Sequence, residues 1–270
     1  MKTKHKIKIA KIISLFLKPF YKKNRIHIRD EIKWCLDLNE GIDLSIFLFG
    51  TSEKKINNLK KLFKSNEKLI IIDIGANIGS ISLPLAKMFN KSKIFAIEPT
   101  NYAFKKLTKN LNLNEDLKKI ISLNQIFLSK KNKPVKVWSS WNFNNNTNKH
   151  KQHLGTLHSI KRESYMSLNN FINFKKIKKV DFIKLDVDGH ELDVLKSGEK
   201  FLKNKKPIIF IEIAPYLYPE FGYKCSELIT YIKKLKYSFY NEDLKKIKNI
   251  NDYVNKITFG GSKNFYLIKS

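Results

Sequence analysis

Cysteine is scarce: Cys35 and Cys225 are the only 2 in 270 residues, far apart and without the close spacing of metal ligands. No disulfide framework or zinc module is available, and a reducing compartment, the cytoplasm, is expected. No apolar run reaches the roughly 20 residues of a membrane span. The 10 glycines and 7 prolines are too few for a collagenous or low-complexity chain. Acid is also short: 24 Asp and Glu face 53 Lys and Arg, a formal charge of +29. That excess would suit nucleic acid or anionic lipid. Yet the lysines are spread along the whole chain, among many Asn and Ile, as AT-rich coding DNA gives. They mark a solvated surface rather than a footprint. Nucleic acid is therefore not the expected partner.

Apolar residues make up 42% and aromatics 12%, enough for one α/β domain with an appendage. We divide the chain into an N-terminal extension, 1–65, and a main domain, 66–270. In the extension Ile9, Ile12, Ile13, Phe16, Leu17 and Phe20 share one helical face amid lysines. Residues 1–25 thus suit either the inner face of a membrane, peripherally, or a cap on the core. "IKWCLDL" and "IDLSIFLFG" are expected as short strands or a hairpin.

From Leu69 the pattern alternates. "LIIIDI", "KIFAIE", "KKIISLNQIFLS", "VDFIKLDV" and "KPIIFIEI" are strands, with helical segments between them. "SELITYIKKL" is a further helix with Ser226 as cap, and "YSFY" and "NFYLIKS" are late strands. Such alternation requires a mostly parallel sheet with helices on both faces. Segment 139–160 breaks the rhythm as an Asn-rich stretch, a long loop or simple disorder, holding His150, His153 and His158, with Trp138 and Trp141 at its start.

Ligands of open parallel sheets sit beyond the strands' carboxyl ends. The first strand ends in Asp73, and the turn Gly75-Ala76-Asn77-Ile78-Gly79 follows. A dinucleotide turn would have glycine at the Asn77 position, so that a pyrophosphate could approach, and no acid before it. Here Asp73 attracts an ammonium and the helix start after Gly79 receives a carboxylate. Glu98, ending the second strand, accepts ribose hydroxyls. An amino acid joined to a nucleoside without phosphate is S-adenosyl-L-methionine.

The segments "IIDIGANIGSISLPLAK", "IFAIEPTNYAFKKLTKNLNLN" and "VDFIKLDVDGHELDVLKSG" resemble the FkbM family of S-adenosylmethionine-dependent methyltransferases, over about Leu69 to Ile213. The resemblance implies a Rossmann-like class I methyltransferase sheet of seven strands, order 3-2-1-4-5-7-6, with the last antiparallel. It also implies O-methylation of a sugar or polyketide hydroxyl. The acidic residue that related enzymes place near adenine is missing from "SLNQIFLS", which leaves Asn124 or Gln125, of which we select Gln125 as a cofactor contact.

Methyl transfer from a sulfonium needs alignment and removal of the acceptor's proton. "KLDVDGHE" gathers Asp186, Asp188, His190 and Glu191 beyond the fourth strand. Asp186 is the expected base or acceptor-positioner, and His190 the other candidate base by its neutral-range pKa. Asp188, Glu191, Glu212 and His153 are expected to touch the acceptor. The acids could instead hold Mg²⁺ or Mn²⁺, but a helix start favours acids anyway, and no metal is expected. The acceptor is expected to be a small molecule or a glycan, free or lipid-linked. Ribose 2′-O-methylation of RNA and cofactor binding without catalysis are the competing readings.

Overall fold

The computed structural model describes residues 12, 13, 16, 25–51, 56–130, 135–141, 150, 155–160 and 165–269. Ile9, Leu17, Phe20 and His153 lie outside the described residues, as does the side chain of Trp141. Ile12 and Phe16 are exposed. No helix among the described residues is long and apolar enough to cross a membrane.

The strands are β1 (Arg25–Arg29), β2 (Ile32–Leu36), β3 (Ile70–Ile74), β4 (Lys93–Ile97), β5 (Ile121–Asn124), β6 (Phe127–Leu128), β7 (Val135–Trp141), β8 (Gly155–Ile160), β9 (Tyr165–Met166), β10 (Phe182–Leu185), β11 (Ile208–Ile213), β12 (Tyr237–Tyr240) and β13 (Lys263–Lys269). The helices are α1 (Gly41–Phe49), α2 (Ser82–Met88), α3 (Asn101–Asn112), α4 (Glu115–Lys118), α5 (Leu168–Phe174), α6 (Glu191–Ser197), α7 (Glu199–Lys205), α8 (Cys225–Lys234) and α9 (Ile250–Asn255). The central sheet has 7 strands in the order β12-β13-β11-β10-β3-β4-β5. Counted in chain order within the sheet this is 3-2-1-4-5-7-6. β3, β4, β5, β10 and β11 run parallel, and β13 is antiparallel to both its neighbours.

Side chains alternate across each strand, so one sheet feeds two cores. Ile72, Ile74, Ile183 and Leu185 enter one, with α5, α6 and α8. Ile71, Phe182 and Phe210 enter the other. Trp34, Leu36, Leu44 and Ile46 belong to this second core, so a boundary at residue 65 cuts through packed side chains. Each such buried side chain contributes about 1.5–3 kcal/mol, which ties the extension to the main domain.

"IDLSIFLFG" forms α1, not a strand. A continuous apolar run does not distinguish the two. Asp43 decides it by accepting the Asp37 N–H at 2.8 Å and pairing with the Lys106 ammonium on α3. Ser226 does not cap α8; the helix is capped at Lys224, whose N–H donates to the Glu227 carboxylate at 2.8 Å. Within 139–160, β8 pairs antiparallel with β7, where a loop was expected.

Candidate active site

The glycine turn, the ends of β4, β10 and β11, and α1 enclose a cavity of about 430 Å³. It opens where the parallel strands end, as the fold class requires.

Gly75 has φ +78, and a Cβ there would lie 1.8 Å from the Asp186 carbonyl oxygen. Only glycine lets the turn pass the backbone after β10. The N–H groups of Gly75 and Ala76 both donate to the Ile97 carbonyl at 2.9 Å. Asn77 takes φ +50, a conformation asparagine tolerates, and its N–H donates to Glu98 Oε2 at 3.0 Å. Gly75, Asn77 and Glu98 line the cavity. Gly79 does not; at φ +93 it gives Leu83 and Leu107 the room a Cβ would occupy. α2 begins only at Ser82, so Ser80 rather than the helix start faces the cavity.

Glu98 Oε1 accepts from the Thr100 N–H at 2.9 Å and hydroxyl at 2.6 Å. Among the described residues its Oε2 accepts only from Asn77, so a second lone pair remains open to a hydroxyl from the cavity that Glu98 lines. Burial raises its pKa, against the hydrogen bonds from Thr100 and Asn77.

Asp73 and Gln125 stand elsewhere than expected. Asp73 is fully buried behind the turn, where Oδ2 accepts from the Ser82 hydroxyl at 2.5 Å and Oδ1 lies 3.4 Å from Lys184 Nζ. It is absent from the cavity wall and shapes the turn from beneath. Gln125 is exposed and off the wall. β5 ends at Asn124, whose amide donates to the Ser122 carbonyl at 2.8 Å, and Ile126 supplies the lining.

Beyond β10 and β11, Asp186, Asp188 and Glu212 bring carboxylate oxygens within 4.8 Å of one another, all on the cavity wall. Asp188 adopts φ +47 and Gly189 φ +100, and a Cβ on Gly189 would meet the Phe221 ring at 2.3 Å. Burial, then Asp186 and Glu212, push the Asp188 pKa well above the carboxylate range. Glu212 accepts from the Ser262 hydroxyl at 2.7 Å.

Two more expectations need correction. His190 is no cavity residue: it is 5% exposed, with Phe127 and Phe221 rings at 5.1 and 4.2 Å, and Nε2 bonded to the Lys136 carbonyl at 3.0 Å. A carbonyl only accepts, so Nε2 carries the proton and is spent on that bond. His190→Asn should lower the melting temperature yet cut turnover less than tenfold, as a thermal melt and a rate assay would show; a thousandfold loss would restore the histidine as base.

Glu191 is likewise off the wall. Its Oε1 accepts from the Val187 and Gly189 N–H groups at 3.2 and 3.3 Å, pinning the turn that presents Asp188. Burial, opposed by these bonds and assisted by Asp186, raises its pKa from 4.5 to about 7. The folded state then binds a proton that the unfolded state has lost. Glu191 favours folding fully below pH ~4.5, and this contribution fades as pH rises through ~7, by up to about 3 kcal/mol. Glu191→Gln should therefore flatten the pH dependence of urea unfolding across that window.

Other residues of the wall carry no signal in the sequence. Lys184 lines the cavity from mid-β10, and Tyr216 follows β11. Ser45 reaches the wall from α1. The hairpin β7–β8 adds Val137 and Trp138. Glu220 fastens it, with Oε1 2.6 Å from His150 Nε2 and Oε2 accepting from Trp138 Nε1 at 3.3 Å. His150 is thus part of that clasp and off the wall, and His158 is half-buried on β8.

Residues 73–239 match the model of the methyltransferase FkbM domain. A 90-residue stretch is 33% identical to the tRNA(Phe) (4-demethylwyosine(37)-C(7)) aminocarboxypropyltransferase of Pyrococcus horikoshii, covering 33% of this chain and 30% of that protein. The FkbM methyltransferase of Methylobacillus flagellatus is 18% identical with TM-score 0.48, over 76% of this chain and 44% of that one. TYW2 of M. jannaschii, solved with AdoMet, is 16% identical with TM-score 0.44, over 92% and 85%. The chain thus spans under half the length of the first two. The family model covers more than half of the chain, from the carboxylate of β3 to β12, and so includes the turn, Glu98 and the acids of β10 and β11. The chain belongs to the FkbM methyltransferase family, whose cofactor is S-adenosyl-L-methionine.

Proposed function

We propose that this protein methylates a hydroxyl group of a saccharide, free or lipid-linked. The observation that carries the reading is the pairing of Asp186, Asp188 and Glu212, mutually within 4.8 Å, with the aromatic side chains of Trp138 and Tyr216 on one cavity wall. Carboxylates accept hydrogen bonds from polyols, and aromatic faces pack on the C–H faces of sugar rings. Phosphate finds no welcome: among the described residues of the wall Lys184 is the one basic side chain, already set between Asp73 and Asp186.

The cavity's residues suit the cofactor. The open direction on Glu98 Oε2 would take a ribose hydroxyl, Ile97 and Ile126 an adenine face, the carbonyls of the Gly75–Asn77 backbone the ammonium, and the Ser80 hydroxyl the carboxylate. When bound, S-adenosyl-L-methionine supplies an electrophilic methyl group. Asp186 accepts the hydroxyl's proton as the oxygen attacks, and its 39% exposed side chain keeps it reachable. Glu212, Asp188 and Tyr216 orient the acceptor. Trp138→Ala should raise KM for the acceptor about tenfold and leave kcat within a factor of two, the pattern of a stacking contact.

RNA is the second reading, favoured by the +29 charge. Incubation with labelled cofactor and cell extract split into glycan, lipid, RNA and protein fractions separates the two. Label in the glycan or lipid-linked fraction is expected. Label in RNA, with steeply salt-dependent binding, would overturn the saccharide reading. Exposed Ile12 and Phe16, among the lysines of residues 1–25, support docking of that segment on an anionic membrane.

A further inference from the structure

Lys184 puts a positive charge where burial alone would exclude one. It stands in register with Asp73 on the neighbouring strand, and its side chain is 6% exposed. Nζ donates to the Gly75 carbonyl at 2.6 Å and the Ile74 carbonyl at 3.3 Å. It lies 3.4 Å from Asp73 and 3.6 Å from Asp186. Glu212, Asp188 and Glu98 also feel its charge. Burial pulls its pKa down, but Asp186 and Asp73 outweigh this, and the amine stays protonated. Buried ion pairs of this kind add little net stability, so stability is a weak reason for the lysine.

The reaction supplies a better one. As the acceptor's oxygen–carbon bond forms, the carbon–sulfur bond breaks, its electron pair goes to sulfur, and the hydroxyl proton passes to a carboxylate. A sulfonium becomes a neutral thioether. Negative potential around the sulfur therefore favours the reactant over the transition state, where positive charge is already leaving, and raises the barrier. Five carboxylates (Asp73, Glu98, Asp186, Asp188 and Glu212) stand in or behind this cavity.

We infer that Lys184 is a positioning residue that joins the Gly75 turn to Asp186 and limits the cavity's attraction for the cofactor's positive charge. The inference rests on the cofactor and not on the choice of acceptor. Its consequence is a modest preference for S-adenosylmethionine over S-adenosylhomocysteine, because the acids around the sulfur are offset.

The test is calorimetric titration of wild type, Lys184→Met and Lys184→Gln with each of the two compounds, without acceptor, at alkaline pH where carboxylates stay ionised. Both variants should shift the affinity ratio toward the sulfonium by at least tenfold, since one unit charge at an effective dielectric near 20 acts with that strength even from roughly 12 Å. Asp186→Asn should shift it a few-fold the other way. A purely structural lysine would weaken both ligands equally, and an unchanged ratio in the lysine variants overturns the inference. So does an unmoved ratio in Asp186→Asn, or failure of both lysine variants to fold, which would mark Lys184 as a structural tie. No acceptor is present, so either result leaves the saccharide reading standing.

Discussion

Asp186→Asn is expected to slow methyl transfer by a factor of roughly 10²–10⁴, the usual worth of a positioned general base, with cofactor affinity held within tenfold. The expectation follows from where the residue sits. Its backbone continues β10 and its N–H donates to the Ile74 carbonyl at 3.2 Å, which fixes the Cα beside the cofactor turn. The carboxylate faces the cavity with Asp188 and Glu212 as neighbours. The amide keeps the shape and one acceptor oxygen but cannot take a proton. KM should change less than kcat, since the contact strengthens as the proton moves. Full activity in this variant would remove Asp186 as base and turn attention to Asp188, whose pKa burial has raised.

Gly75→Ala is expected to be still more damaging. The new methyl would lie 1.8 Å from a backbone oxygen, so no side-chain rotation relieves the clash, and φ +78 is unfavourable for any residue with a Cβ. Either the turn or the strand end after β10 must move, and both build the cavity. We expect a loss of at least about 2–4 kcal/mol in denaturant unfolding, together with cofactor affinity reduced beyond a hundredfold. Gly222→Ala is the matched control: φ is +78 there too, but the Cβ would have nothing within 4 Å. Its cost should stay near 1 kcal/mol, the strain without the collision. Equal costs at the two positions would show that strain, not closeness to Asp186, governs Gly75.

The strand ends could be read in the sequence because local chemistry sets them. Apolar runs closing in Asp73, Glu98, Asp186 and Glu212 mark where a parallel sheet meets its ligands, and positive-φ positions demand Gly75 and Gly79. Side-chain direction could not be read. Asp73 looks like a cavity acid until register places it opposite Lys184, where both are buried. His190 attracts attention because free histidine titrates near neutral pH, yet two aromatic rings and the Lys136 carbonyl hold it below the wall. Gln125 fails because β5 stops one residue earlier, which exchanges its place with Ile126. Lys184 was hidden for the opposite reason: one lysine in an apolar strand has no pattern, and its meaning comes from carboxylates that are close only in space. α1 escaped because a run of apolar residues fits helix and strand alike, and its partner Lys106 lies on another helix.

We propose that one cavity holds an adenosyl amino acid between the glycine turn and Glu98, with its sulfur side toward the acids of β10 and β11. A crystal structure with S-adenosylhomocysteine tests it most directly. A ribose hydroxyl within hydrogen-bond distance of Glu98 Oε2, the amino-acid end on the Gly75–Asn77 backbone and the sulfur toward Asp186 would be the predicted result. The compound bound at another surface, or absent from the cavity at saturating concentration, would contradict the account.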